Sequence, residues 1–189
     1  MTTLTAVLFV GGESRRMGAD KATRLFEDEP LWARQLRTLR ELSPEKILIS
    51  ARARPRWCPL KIETVLDTPP SRGPLSGLRA ALARAETSHL LVLAVDLPRM
   101  NVAGLRKIIA AAGDGFGAVV KGGFYEPLGA VYPVNVVVQK LVTDYASSPS
   151  QALQPLVAKL VKENWLRVLP RDGLDANCFT NANTPDELA

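Results

Sequence analysis

Apolar runs of strand length alternate along this chain with segments whose apolar positions recur at helical spacing. Leu90–Val95 is apolar at every position, the pattern of a strand buried on both faces of a parallel sheet. Further strands are expected at Thr5–Val10, Lys46–Ser50, Ile62–Leu66, Ala118–Lys121 and Leu128–Tyr132, with short late ones at Leu166–Leu169 and Cys178–Asn181. Helices are expected over Leu31–Leu42, Pro74–Ala85, Val102–Ala112, Val134–Tyr145 and Gln151–Glu163. In the first, Trp32, Leu36 and Leu39 share one face and Arg34, Arg37 and Arg40 another. Pro155 falls inside the last and is expected to end or bend it. Thr184-Pro185-Asp186-Glu187 reads as a capping box with Pro at the first helical position. Strands alternating with helices predict a three-layer α/β/α, Rossmann-like domain with a mostly parallel sheet. Such a sheet binds ligands at the carboxyl ends of its strands.

Length and composition narrow this little further. With 189 residues, and no repeat or linker, one domain over 1–189 is expected. No apolar run reaches the roughly 18 residues of a membrane helix, and the N-terminus lacks the pattern of a signal peptide. Cys58 and Cys178 are far apart and make neither a disulfide framework nor a zinc pattern, so reduced thiols in a cytoplasmic protein are expected. The net charge of +5 lies mostly in the first 60 residues, which hold 11 Lys/Arg against 7 Asp/Glu. That excess suits an anionic small ligand and is too scattered for nucleic acid. The Arg52–Arg56 segment with Trp57 reads as a solvated loop, and Trp32, Trp57 and Trp165 as packing residues. His89, the sole histidine, has no evident partner in sequence, which removes a Ser-His-Asp hydrolase.

The strongest chemical signal follows the first strand, in Gly11-Gly12-Glu13-Ser14-Arg15-Arg16-Met17-Gly18-Ala19-Asp20-Lys21. Glycines there let backbone N–H groups approach a ligand, and Arg15, Arg16 and Lys21 offset much of a triphosphate's charge. The order is neither a Walker A loop nor G-x-G-x-x-G. A second signal is Asp96, at the tip of the all-apolar strand and two residues before Pro98. A lone carboxylate is too costly as core filler. It suits Mg²⁺, which takes one or two carboxylates with phosphate oxygens and waters; capping the next helix would explain it otherwise. Gly122–Pro127 reads either as a lining of an acceptor pocket or as a Gly-Gly hairpin turn.

The first segment resembles the L-A-G-G-x-S-x-R-M-G-x-D-K pattern of the molybdenum cofactor guanylyltransferases, matching at Gly11, Gly12, Ser14, Arg16, Met17, Gly18, Asp20 and Lys21. The family's D-x-P motif falls on Asp96 and Pro98. Its acidic residue and G-P-L-A-G segment fall on Asp67 and Gly73–Gly77, with Ser76 for Ala, and its N-x-N-T-P-E-E-L ending on Asn181–Leu188. The four matches run in order over essentially the whole chain.

The resemblance implies GTP held by Phe9, Val10, Gly11, Gly12, Ser14, Lys21, Ser50, Asp67 and Gly77, with Asn181 toward a pterin acceptor. It implies Arg16, Lys21 and Asp96 as catalytic residues and Asp96 as the Mg²⁺ ligand. The acceptor is molybdopterin or molybdenum-molybdopterin, and molybdenum-insertion and molybdoenzyme chaperone proteins are the implied partners. Phe9 and Val10 stand where the family has Leu and Ala, and Ser50 where such relatives often have Asn. Cytidylyl relatives tend to carry Ala before the Gly, so the Gly11-Gly12 pair favours guanine. A CTP-dependent or sugar-phosphate nucleotidyltransferase, and a non-catalytic nucleotide-binding paralogue, stay open at this point.

Overall fold

The computed structural model describes residues 3–11, 20–67, 73–147 and 152–181. Seven strands form one sheet: β1 (Leu4–Phe9), β4 (Lys46–Ala51), β5 (Glu63–Leu66), β6 (His89–Ala94), β7 (Gly117–Lys121), β8 (Tyr125–Pro133) and β9 (Leu166–Pro170), in the order β5-β4-β1-β6-β8-β7-β9. All run the same way except β8, which is antiparallel to both β6 and β7. β1 and β6, apolar but for Thr5 and His89, lie side by side in the middle and are buried throughout, as their lack of alternation requires.

Five helices cover the two faces. On one, α1 (Leu31–Arg40) and α3 (Val102–Ala111) bury Leu36, Leu39, Leu105 and Ile108 against Leu8, Leu91 and Leu93. On the other, α2 (Pro74–Arg84), α4 (Val136–Ala146) and α5 (Leu153–Lys162) bury Leu78, Leu82, Val138, Val142, Leu156 and Leu160 against Val7, Val92 and Tyr132. The expected three-layer Rossmann-like arrangement with a mostly parallel sheet is thereby found. Helix starts are chemical as well as apolar: Asn101 and Asn135 cap α3 and α4 by accepting from Gly104 N–H and Val138 N–H, both at 2.9 Å. Asp96 is therefore not the cap of α3.

Some local expectations are corrected. Cys178–Asn181 is not a strand; Ala176–Phe179 forms a short 3₁₀ turn capped by Asp175, with Cys178 and Phe179 buried. Pro155 neither ends nor bends α5, because it sits in the first turn, where the missing N–H has no intrahelical partner to lose. A two-stranded hairpin, β2 (Leu25–Phe26) and β3 (Glu29–Pro30), has no counterpart in the apolar pattern. Its turn puts Glu27 and Asp28 at φ 50° and 62°, without the glycine that usually marks such a turn. His89 does have partners: its ring meets Ser88 Oγ at 2.9 Å and the carbonyls of Gly113 and Phe116 at 3.1 Å, tying β6 to the turn before β7. Both cysteines are buried free thiols. The capping box at Thr184 lies outside the described residues.

Candidate active site

Chain order fixes where a ligand can enter. From β1 the chain moves outward through β4 to β5, then returns to place β6 on the opposite side of β1. The connections thus diverge at β1 and β6, and the crevice at their carboxyl ends is the topological switch point. Register aligns those ends: Phe9 lies opposite both Ser50 of β4 and Ala94 of β6. Two residues further on, Gly11, Arg52 and Asp96 therefore emerge along one rim. Asp67 joins them, its N–H donating to Ala51 O at 3.1 Å. Gly11 is exposed, and among the described residues a side chain there would meet nothing closer than Ala51 Cα at 3.9 Å.

Asp96 and Lys21, expected from separate motifs 75 residues apart, meet across this crevice: Lys21 Nζ donates to Asp96 Oδ2 at 3.2 Å. Both side chains are part-buried, which strengthens the pair without sealing it from a ligand. Lys21 opens a single 3₁₀ turn, Lys21–Thr23, capped by Asp20, whose Oδ1 accepts from Ala22 N–H at 3.0 Å. The turn that follows β6 is held from behind by α1. Arg34 Nε donates to Pro98 O at 2.8 Å, and the buried Gln35 amide donates to Leu97 O. Arg34 also packs its guanidinium over Phe26 and pairs with Glu27 at 2.9 Å, so it is not on the solvent face with Arg37 and Arg40.

The remaining expected residues divide by burial. Phe9 (5% exposed) and Ser50 (3%) turn their side chains into the sheet–α2 packing, so contact with a ligand from these positions comes through backbone. Val10 is half-buried and its N–H donates to Ser50 O at 3.1 Å. Gly77, in the first turn of α2, presses on both strand ends: an added Cβ would lie 2.8 Å from Phe9 Cε1 and closer still to Ser50 Oγ. Gly73, just before α2, has φ +64° and ψ −145°, a conformation that excludes side chains. Asn181 is exposed at the end of the described C-terminal segment. That segment is anchored by Phe179, which packs on Gly129 beside Leu97 and so delivers Asn181 near the Asp96 turn. Gly12, Ser14 and Arg16 lie outside the described residues.

The rim carries positive charge. Lys121 ends β7 with its ammonium over Tyr125, and Arg171, after β9, stacks over Phe179 and meets Glu126 at 3.7 Å. Burial pushes the Glu126 carboxyl above its usual range, against the pull of Arg171. The turn at Gly122–Phe124 is a tight β7–β8 hairpin, so the hairpin reading of that segment holds.

The crevice can be tested for a divalent cation from its own donors. Asp96 offers Oδ1, which carries no hydrogen bond among the described residues, on a side chain that is 32% exposed. No group of three or more His, Cys, Asp or Glu side chains gathers among the described residues, so an all-protein cage is not the arrangement there. One accessible carboxylate beside a lysine on a cation-bearing rim fits Mg²⁺, which keeps waters and shares phosphate oxygens. The residues present fit the ion. No described helix is long and apolar enough to cross a membrane.

Sequence reasoning missed Trp57, Arg34 and Gln35. The indole N–H of Trp57 donates to Asp20 Oδ2 at 2.7 Å, and its ring stacks on Trp32 with centroids 5.0 Å apart and planes at 15°. The only forward signal was a tryptophan in a polar, proline-rich loop.

The MobA-like NTP transferase domain family matches residues 6–162. A relative from Opitutus terrae, a probable molybdenum cofactor guanylyltransferase, is 36% identical over 97% of this chain and 92% of its own. Among solved structures, molybdopterin-guanine dinucleotide biosynthesis protein A from Archaeoglobus fulgidus superposes with a TM-score of 0.73 at 20% identity, covering 97% of this chain and 94% of that one. A 4-diphosphocytidyl-2C-methyl-D-erythritol synthase from Anaerococcus prevotii gives 0.75 at 9% identity over 99% and 95%. Both structures speak for the fold alone.

Proposed function

The chain belongs to the molybdenum cofactor guanylyltransferases, within the MobA-like NTP transferase domain family, and from that premise we propose that it transfers GMP from Mg²⁺–GTP to the phosphate of molybdenum-molybdopterin with release of pyrophosphate. The observation that carries the proposal is the Lys21–Asp96 pair, a cation and a carboxylate set 3.2 Å apart at the β1/β6 switch point. The fold does not choose the base, since a cytidyl synthase shares it. Guanine rests on family membership and on the Gly11-Gly12 pair.

In this reading the exposed backbone at Gly11 and the neighbouring Gly12 and Ser14 receive the nucleotide, with Asp67 beside them on the rim. Phe9, Ser50 and Gly77 form the wall behind it by packing α2 on the strand ends. A phosphate oxygen of the acceptor attacks the α-phosphorus in line. The new P–O bond forms as the bond to the β-phosphate breaks, and the electron pair leaves with pyrophosphate. Lys21, with Arg16, meets the charge that grows on the leaving group. The attacking phosphate is already ionised at neutral pH, so no general base is needed, in keeping with His89 being occupied by structural hydrogen bonds. Asp96 would hold Mg²⁺, which supplies charge neutralisation at the phosphates. Asn181 and the Arg171 side of the crevice face the acceptor. We place the whole activity in one domain over 1–189 working in the cytoplasm, with molybdenum-insertion and molybdoenzyme chaperone proteins as its partners.

The test is pyrophosphate release from Mg²⁺–GTP and Mg²⁺–CTP, each with and without the pterin acceptor. Release only with GTP and acceptor together is expected. Release with CTP would move the chain to a cytidylyl branch, and no release with either would contradict the proposal.

A further inference from the structure

We infer that Trp57 is a positioning residue for Lys21, acting through Asp20; the inference rests on the reading of Lys21 as a phosphate contact. Trp57 belongs to the loop between β4 and β5, a part of the chain with no motif of its own. Yet its indole N–H reaches Asp20 Oδ2 at 2.7 Å, 37 residues away. The other carboxylate oxygen, Oδ1, caps the turn that begins with Lys21, accepting from Ala22 N–H at 3.0 Å. Asp20's carbonyl accepts from Thr23 Oγ1 at 2.8 Å and Thr23 N–H at 3.0 Å. The aspartate is thus held from both sides, and the turn that launches the lysine is fixed relative to the sheet.

The clamp has a rigid base. Trp57 is itself stacked face to face on Trp32, the second residue of α1. The next turn of the same helix supplies Arg34 and Gln35, which hold the carbonyls of Pro98 and Leu97 just after Asp96. One helix therefore registers both partners of the site: Asp96 directly through its turn, and Lys21 through the relay Trp32, Trp57 and Asp20. A lysine on a four-carbon stem loses much rotamer freedom when its ammonium is aimed. Fixing its backbone turn beforehand keeps that loss out of the binding step. The indole N–H is a donor only and the ionised carboxylate an acceptor only, so the two are matched.

The test is a double-mutant cycle of Trp57→Phe with Lys21→Met, read by Mg²⁺–GTP turnover and by equilibrium binding of Mg²⁺–GTP. Phenylalanine keeps an aromatic ring against Trp32 and removes the N–H. Trp57→Phe alone is expected to lower kcat/KM for GTP about 10-fold, as loss of one charge-assisted hydrogen bond predicts, with an unchanged thermal midpoint. In the Lys21→Met background it should cost nothing further, which a merely structural role would not produce. If Trp57→Phe melts early, Asp20→Asn takes its place, because the stacked rings are untouched there and the amide leaves one acceptor oxygen for two donors, the indole and Ala22 N–H. Wild-type kinetics in Trp57→Phe beside a disabled Lys21→Met, or full additivity of the two, would overturn the inference while leaving the function intact. An inert wild type, or a Lys21→Met enzyme with normal turnover and GTP affinity, would instead overturn the reading of Lys21 on which it stands.

Discussion

At the scale of single residues the site reduces to two opposite charges that come from distant parts of the chain. Lys21 opens a 3₁₀ turn, and Asp96 lies just past the end of a strand that is apolar but for His89. Replacing Lys21 by Met should lower kcat by about 10²–10³-fold, the usual loss on removing one stabiliser of developing charge. Asp96→Asn keeps the shape and one acceptor oxygen while removing the charge. It should lower turnover by a similar factor and steepen the requirement for added Mg²⁺; turnover at the wild-type level would count against Asp96 as the metal ligand. Both residues were legible in the sequence, for a physical reason. A glycine-rich, cationic loop after a strand, and a carboxylate capping an apolar run, are arrangements that folding alone does not favour. Trp57 was not legible, since its use depends on a contact with Asp20 across 37 residues and nothing in its own loop announces one.

At the scale of elements, close approach of α2 to the strand ends sets the back wall of the site. Two effects compete at Gly77. Helix propensity alone favours alanine by about 1 kcal/mol. Packing opposes it, because the new methyl would meet Phe9 and Ser50, and overpacking costs about 1–3 kcal/mol. Packing should win, so Gly77→Ala is expected to lower the midpoint of thermal unfolding by up to a few degrees and weaken GTP binding; a rise in the midpoint would show that the wall has room. The opposite side of α2 is tied down by Glu63 of β5, which pairs with Arg84 and, at 2.9 Å, with Lys46 of β4. The Arg84 guanidinium first, then Lys46, hold the Glu63 carboxyl below its usual range. A lowered carboxylate pKa stabilises the fold above the unfolded value, and that contribution is lost as pH falls through the folded one. Glu63→Gln should therefore be less stable than wild type at neutral pH. The gap should close on acidification, which melting curves across acid pH would show; a gap that stays constant would mean the ion pairs are screened out.

Strands and helices with strong periodicity were read to within a few residues, from β1 to α5. The failures were short elements that periodicity cannot see. The β2–β3 hairpin depends on Glu27 and Asp28 adopting positive φ without glycine. Cys178–Asn181 reads as a short strand, but Cys178 and Phe179 are buried by a 3₁₀ turn, Ala176–Phe179, docking on α3 and Gly129.

At the scale of the whole molecule, topology does what no single motif does. The excursion from β1 to β5 and back to β6 opens one crevice where the strand order diverges. Asp67, Gly11, Lys21, Asp96 and the C-terminal segment before Asn181 gather on that rim. The other end of the sheet is held by packing and by the hydrogen-bonded knot of Thr3, Ser88 and His89. In the proposed function nucleotide and acceptor meet at the Asp96 turn, where in-line transfer at the α-phosphorus would take place. The most direct test of that claim follows the phosphorus. With GTP labelled at the α-position, the wild-type protein should place the label in the pterin product, and with γ-labelled GTP the label should leave entirely as pyrophosphate. Label from the γ-position in the acceptor, or as free phosphate formed without nucleotidyl transfer, would contradict a guanylyltransferase and return the crevice to a different chemistry.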